Sequence, residues 1–264
     1  MSKRGLGLIV YGVEGIGKTS FALEFPGPIL CISVRESGFD DLEDIGMIPE
    51  GAENINVEDF SEIISEMKGA KETHQTVIID SLSGVSQFIK EEVIQHCFEG
   101  TVDERMKEFG AFSNGWRIHA PTWAAKLEST CELLRSKGIN VILIGHDKNE
   151  TEKNASGPDF QATMIDMEKW PRGVLTKWAQ AVLFMTMDYD TVASKKWKGK
   201  TTEAKVTDSL DDDVDRIMYT TKHPGHSAKN RLNLPTYIHM GESAKQAYSN
   251  FVKELPEPIQ KKLA

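Results

Sequence analysis

Three things are scarce in this 264-residue chain, and each scarcity removes a class of answer. Cysteine occurs three times, at Cys31, Cys97 and Cys131, far apart and with no CxxC pair. An odd count at such spacing argues against a disulfide framework or a thiolate zinc site, and each cysteine reads as a small core residue. Long apolar runs are missing too. None approaches the roughly 20 residues that a membrane-spanning helix needs, so no membrane is expected as a partner. Met-Ser-Lys-Arg-Gly at the N-terminus leads at once into an apolar strand, with no signal-peptide core or cleavage pattern, and a cytoplasmic location is expected. Finally, positive charge is in deficit: 31 Lys and Arg face 40 Asp and Glu, a net charge of −9. Such a mean field does not draw the chain to nucleic acid, so any such contact requires a local basic patch.

The remainder is ordinary for a globular protein, with 39% hydrophobic and 27% charged residues. Apolar runs rich in Ile and Val punctuate the chain at Leu6–Tyr11, Ile29–Val34, Thr76–Asp80 and Asn140–Gly145, with a weaker one at Asn54–Val57. Helical patterns lie between them, at Thr19–Phe25, Glu58–Lys68, from Val85 onward, and at Thr122–Lys137. Strands alternating with helices predict an α/β fold, a mostly parallel central sheet covered on both faces. His146–Asp166 is polar and reads as a long loop. A helix at Glu168–Gln180 leads to the strand Ala181–Met187, and Arg216–Thr221 reads as its antiparallel partner. An edge hairpin over about 190–222 is therefore expected, followed by a surface helix within a 240–264 tail. No repeat or linker divides the chain, so one domain over 1–264 is expected.

The most informative segment is Gly12-Val13-Glu14-Gly15-Ile16-Gly17-Lys18-Thr19, which matches G-x-x-x-x-G-K-[ST] in full and is followed by Ser20. It follows an apolar strand and precedes a helix, the context the motif needs. There the loop's N–H groups surround phosphate oxygens, and the glycines allow conformations that a side chain would block. Lys18 sets a positive charge against the β- and γ-phosphates, and the Thr19 hydroxyl is a Mg²⁺ ligand, so ATP and Mg²⁺ are the expected cofactors. Glu14, repelled by a triphosphate, is expected to face solvent or a neighbouring subunit.

Three further residues belong to this chemistry. Asp80 ends TVIID and is expected to hold the Mg²⁺ shell, the alternative being a helix N-cap. Glu36 lies two residues beyond the second strand and is the candidate to orient or deprotonate water, the alternative being a loop carboxylate paired with Arg35. His146 directly follows NVILIG at the same carboxyl edge. It either senses the γ-phosphate and passes the signal onward or is simply hydrogen-bonded at a strand end.

GVEGIGKTS, PILCISVRES, TVIIDS and NVILIGHDK, in that order, with Phe109-Gly110 upstream of the long helix, resemble the RecA-like P-loop ATPases. Within them the chain looks most like phage-type, core-only relatives of RecA and RadA that act in single-strand annealing and recombination. The resemblance implies that Glu36 is the catalytic glutamate and that 146–166 contacts single-stranded DNA. It further implies self-association and a single-strand-binding protein as a partner. No polymerisation motif is visible, and strand exchange by this chain alone is not part of the expectation. Lys229-Asn230-Arg231 resembles the Lys-x-Arg element of RecA-like hexameric helicases, whose cations reach the γ-phosphate held by the next subunit; the alternative is a solvated basic turn. The basic patch that the net charge demands is Lys195-Lys196-Trp197-Lys198-Gly199-Lys200, four lysines around one tryptophan, suited to phosphates and a stacked base. The alternative there is a solvated hairpin tip.

The reading is therefore a DNA-stimulated ATPase of annealing or recombination. Two alternatives are carried: a helicase-type motor or loader, and a slow nucleotide-dependent switch that binds a protein partner. A small-molecule kinase fits less well, because no arginine-rich lid is visible.

Overall fold

The computed structural model describes residues 4–70, 73–98, 109–110, 114–154, 157–188, 191–192, 205–206 and 215–263. The chain opens with β1 (Gly7–Gly12), all six residues of which are buried. It lies in mid-sheet, parallel to β5 (Asn140–Glu152) on one side and β7 (Ala181–Met187) on the other. Burial on both faces explains why these strands read as unbroken apolar runs rather than as alternating ones. Beyond β5 follow β4 (Thr76–Asp80), β2 (Ile29–Ser33) and β3 (Ala52–Asn56), all parallel.

Helices cover the two faces. On one side α3 (Phe60–Gly69), α4 (Leu82–Cys97), α5 (Ala120–Ser136) and α6 (Lys169–Trp178) bury Ile63, Phe88, Leu127 and Leu175 against the sheet. The start of α3 is held by Asp59, whose carboxylate accepts the Glu62 amide at 2.8 Å, as an N-cap requires. A five-residue π-helical turn at Gly115–His119 leads into α5. The opposite face carries α1 (Lys18–Leu23), α2 (Gly38–Asp44), α7 (Ala244–Glu254) and α8 (Glu257–Leu263).

Several expectations need correction. The polar stretch 146–166 is a hairpin, not a loop: β5 continues to Glu152 and pairs antiparallel with β6 (Phe160–Ile165), from Asp147↔Ile165 to Glu152↔Phe160. Its apolar content is confined to β6, where Ala162, Met164 and Ile165 are buried, while the 146–152 part of β5 is polar and only partly covered. Arg172 from α6 donates to both oxygens of Glu150, at 3.0 and 2.5 Å, and to the carbonyls of Ile165 and Met167.

The strands β7 and β10 (Arg216–Tyr219) do pair antiparallel, but they are not the edge. β12 (Tyr237–His239) lies outside β10, and the short β11 (Lys229–Asn230) also pairs with β7. The minor strands β8 (Thr191–Val192) and β9 (Lys205–Val206) pair with each other. The lysine cluster at 195–200 lies outside the described residues. The C-terminal helix is not merely superficial, because Ala247 and Phe251 of α7 are fully buried and Phe251 packs edge-on against Phe21 at 5.7 Å. Burying one such phenylalanine contributes about 1.5–3 kcal/mol. Cys31 and Cys131 are core residues as expected, whereas Cys97 is exposed. No described helix is long and apolar enough to cross a membrane.

Candidate nucleotide site at the carboxyl edge of the sheet

Register decides which side chains meet. Gly12 lies opposite His146, and Ser33 opposite Asp80. The carboxyl ends of β1, β2, β4 and β5 therefore open on one crevice, where parallel α/β sheets bind their ligands. A cavity of about 370 Å³ lies there, lined by the phosphate loop together with Glu36, Asp80 and His146.

The loop's shape depends on glycine at its entry. Gly12 has φ +154°, and a Cβ there would sit 1.9 Å from the Met185 carbonyl oxygen. Gly17, at φ +95°, caps α1 in the left-handed region. Ile16 is fully buried and anchors the loop in the core, whereas Glu14 is exposed.

Lys18 is 7% exposed and donates to the Gly12 and Val13 carbonyls, both at 2.9 Å. Burial lowers its ammonium from the usual lysine range, opposed by Asp80, Asp147, Glu36 and Glu14. The Thr19 hydroxyl donates to Asp80 Oδ2 at 2.7 Å. Asp80 is 5% exposed, and burial raises its carboxyl above the usual range, offset only in part by the Thr19 hydrogen bond. The N-cap alternative for Asp80 does not apply, since Ser81 caps α4 and accepts the Gly84 amide. A hydroxyl and a carboxylate are hard oxygen donors, the kind that suits Mg²⁺, so the residues present fit that ion. Among the described residues no group of three or more His, Cys, Asp or Glu converges as a metal cage.

Glu36 is not paired with Arg35. The Arg35 guanidinium turns away to Gln87 and Glu91, at 2.5 and 2.7 Å, and lies over the Phe88 ring. Glu36 Oε1 instead accepts the Ser81 hydroxyl at 2.6 Å and lies 2.9 Å from His146 Nε2. Both contacts fall on the same carboxylate oxygen. His146 Nδ1 is buried without a hydrogen-bond partner.

Two contributors escaped the sequence reading. Ser81 had a visible signal, being adjacent to Asp80. Arg216 had none: it lies 200 residues from the loop, yet its guanidinium holds the Gly241 carbonyl and comes within 3.5 Å of the Ile16 carbonyl.

Lys229 and Arg231 are not brought to this crevice. Asn230 pairs with Ala181, which lies opposite Leu8 near the start of β1, so the segment sits at the far edge of the sheet. All three donors of the Lys229 ammonium are taken, by the Thr176, Lys177 and Ala179 carbonyls at 2.7, 2.8 and 2.6 Å. It closes the C-terminus of α6, where a cation is stabilising. The expected cation pair thus narrows to Arg231, which is exposed.

A family model described as an AAA domain matches residues 4–232. No curated protein matches the chain. Among solved structures, it is similar to a KaiC-like protein from the hyperthermophilic archaeon Pyrococcus horikoshii OT3, at 11% identity and a TM-score of 0.45, over 92% of this chain and 88% of that one. It is also similar to the flagellar accessory protein FlaH from Methanocaldococcus jannaschii, at 11% identity and a TM-score of 0.41, over 89% and 84% of the two chains.

Proposed function

The chain belongs to the AAA domain family and is an ATPase, and from that premise we propose that it hydrolyses Mg-ATP and couples the reaction to single-stranded DNA in annealing or recombination. The observation that carries the chemistry is the convergence of Thr19, Asp80 and Glu36 on one cavity, with Thr19 Oγ1 2.7 Å from Asp80. Thr19 and Asp80 would hold the Mg²⁺, which neutralises developing phosphate charge when bound. Lys18 leaves the Gly12 and Val13 carbonyls for the phosphates. Glu36, held by Ser81 and His146, orients a water and accepts its proton.

The DNA part rests on the ordered resemblance to phage-type RecA relatives and on Lys195–Lys200. Arg231, unable to reach its own phosphate loop, would act on a neighbour's nucleotide in a self-assembled form. The test is the ATP hydrolysis rate with and without single-stranded DNA, with Lys18→Ala as the blank. Strong stimulation supports the reading. A rate that DNA leaves unchanged moves the function to a nucleotide switch with a protein partner.

A further inference from the structure

A second concavity lies at the opposite edge of the sheet. It has a volume of about 990 Å³, against about 370 Å³ at the phosphate loop. Leu6, Gln75, Asn140 and Gln180, which precede or open β1, β4, β5 and β7, form its floor. The cavity therefore shares no residue with the nucleotide site.

Its charge reverses that of the whole molecule. Arg4, Arg135, Lys137, Lys177, Arg231 and Lys262 line it, against Glu128 and Glu132, an excess of four positive charges in a chain of net −9. One carboxylate is already neutralised, because Glu132 is paired with both Arg4 and Arg135 and also accepts the Trp178 indole N–H. Helix C-termini meet at this edge and attract cations, and this accounts for part of the excess, because Lys177 lies in the last turn of α6 and Lys137 caps α5. The last carbonyls of α6 are already closed by Lys229, and the Arg135 guanidinium is held by the Gly5 carbonyl. Lys137, Lys177 and Arg231 are exposed, and no side-chain hydrogen bond or ion pair holds them among the described residues. Trp178, Ile259 and Leu263 add an apolar wall.

We propose that this cavity is a second anion site, which takes a nucleotide-sized organic phosphate. Several unpaired cations suit a group of multiple negative charge better than a single carboxylate. The apolar wall suits a ring system, and the volume is that of an ordinary small-molecule pocket.

The test is calorimetric titration with ADP and with inorganic tripolyphosphate, using the whole chain. Wild type is expected to bind two equivalents of ADP. The exposed substitutions Lys137→Gln and Lys177→Gln together should weaken the second class about tenfold or more and leave the hydrolysis rate unchanged. Lys18→Ala should keep that second class, and added salt should weaken it. A single class in wild type overturns the proposal, as does a second class indifferent to the lysine pair. Binding there by a single-stranded oligonucleotide but by neither ADP nor tripolyphosphate overturns it as well.

Discussion

Asp80→Asn separates a metal-holding carboxylate from a structural one. The wild-type carboxylate is 5% exposed, and its hydrogen bond within the protein comes from Thr19. Glu36 adds repulsion, while His146 and Lys18 attract. An asparagine keeps the acceptor for the Thr19 hydroxyl and removes the buried charge. Relieving one poorly compensated buried group is worth about 1–3 kcal/mol. In a chain of this size each kcal/mol shifts Tm by about 2–4 °C, so the nucleotide-free variant should melt about 2–12 °C higher.

The sign of the pH dependence follows. Asp80 is raised in the fold above its ordinary value of 3.8. As pH rises past 3.8 the unfolded chain loses its proton first, so wild-type stability falls until the folded group has also ionised. The gain of Asp80→Asn is therefore absent below the ordinary value and largest at neutral to alkaline pH. The same variant should bind Mg²⁺ about 10–100-fold more weakly, and Mg-ADP should no longer raise its Tm as it does for wild type. The assay is thermal unfolding from pH 4 to 8, with and without Mg-ADP. A variant that melts lower than wild type at pH 8, or that keeps the full Mg-ADP shift, refutes the assignment.

Glu36→Gln should retain ATP affinity and lose about a hundredfold or more in turnover, measured by single-turnover hydrolysis; near-normal turnover removes Glu36 as the base. Lys229→Ala should lower stability by about 1–3 kcal/mol in denaturant titration, because three carbonyls at the end of α6 lose their donor. Unchanged stability with lost hydrolysis would return Lys229 to a role at a neighbour's phosphate. Gly12→Ala would place a methyl 1.9 Å from the Met185 carbonyl. It should cost more than about 4 kcal/mol or yield insoluble protein, whereas Gly15→Ala, with open space around its Cβ position, should pay only the backbone strain of its φ of +71° and still fold.

Much of the fold was legible because its signals are local. Continuous apolar runs such as Leu6–Tyr11 can be satisfied only by strands covered on both faces, and the spacing of α4 and α5 shows one apolar side. The phosphate loop was legible for the same reason, since its glycines, Lys18 and Thr19 are consecutive. The hairpin of β5 and β6 was not. Its cohesion comes in part from Arg172 and Glu150, 22 residues apart, and hydropathy carries no trace of that ion pair. Cys97, which composition would bury, turned outward because it ends α4 on an exposed side.

By itself the sequence determined the chemistry on offer: a phosphate loop, a carboxylate ending one strand, another just beyond a second, and a histidine after a third. Only the tertiary structure decided the partnerships. Strand register set Gly12 beside His146 and Ser33 beside Asp80, and so turned Glu36 towards Ser81 and His146 rather than Arg35. It also carried Lys229 and Arg231 to the far edge, where one became a helix cap and the other stayed exposed. Backbone pairing across this sheet joins residues from tens to well over a hundred positions apart, so the shared edge of two side chains is not visible until the strands are aligned.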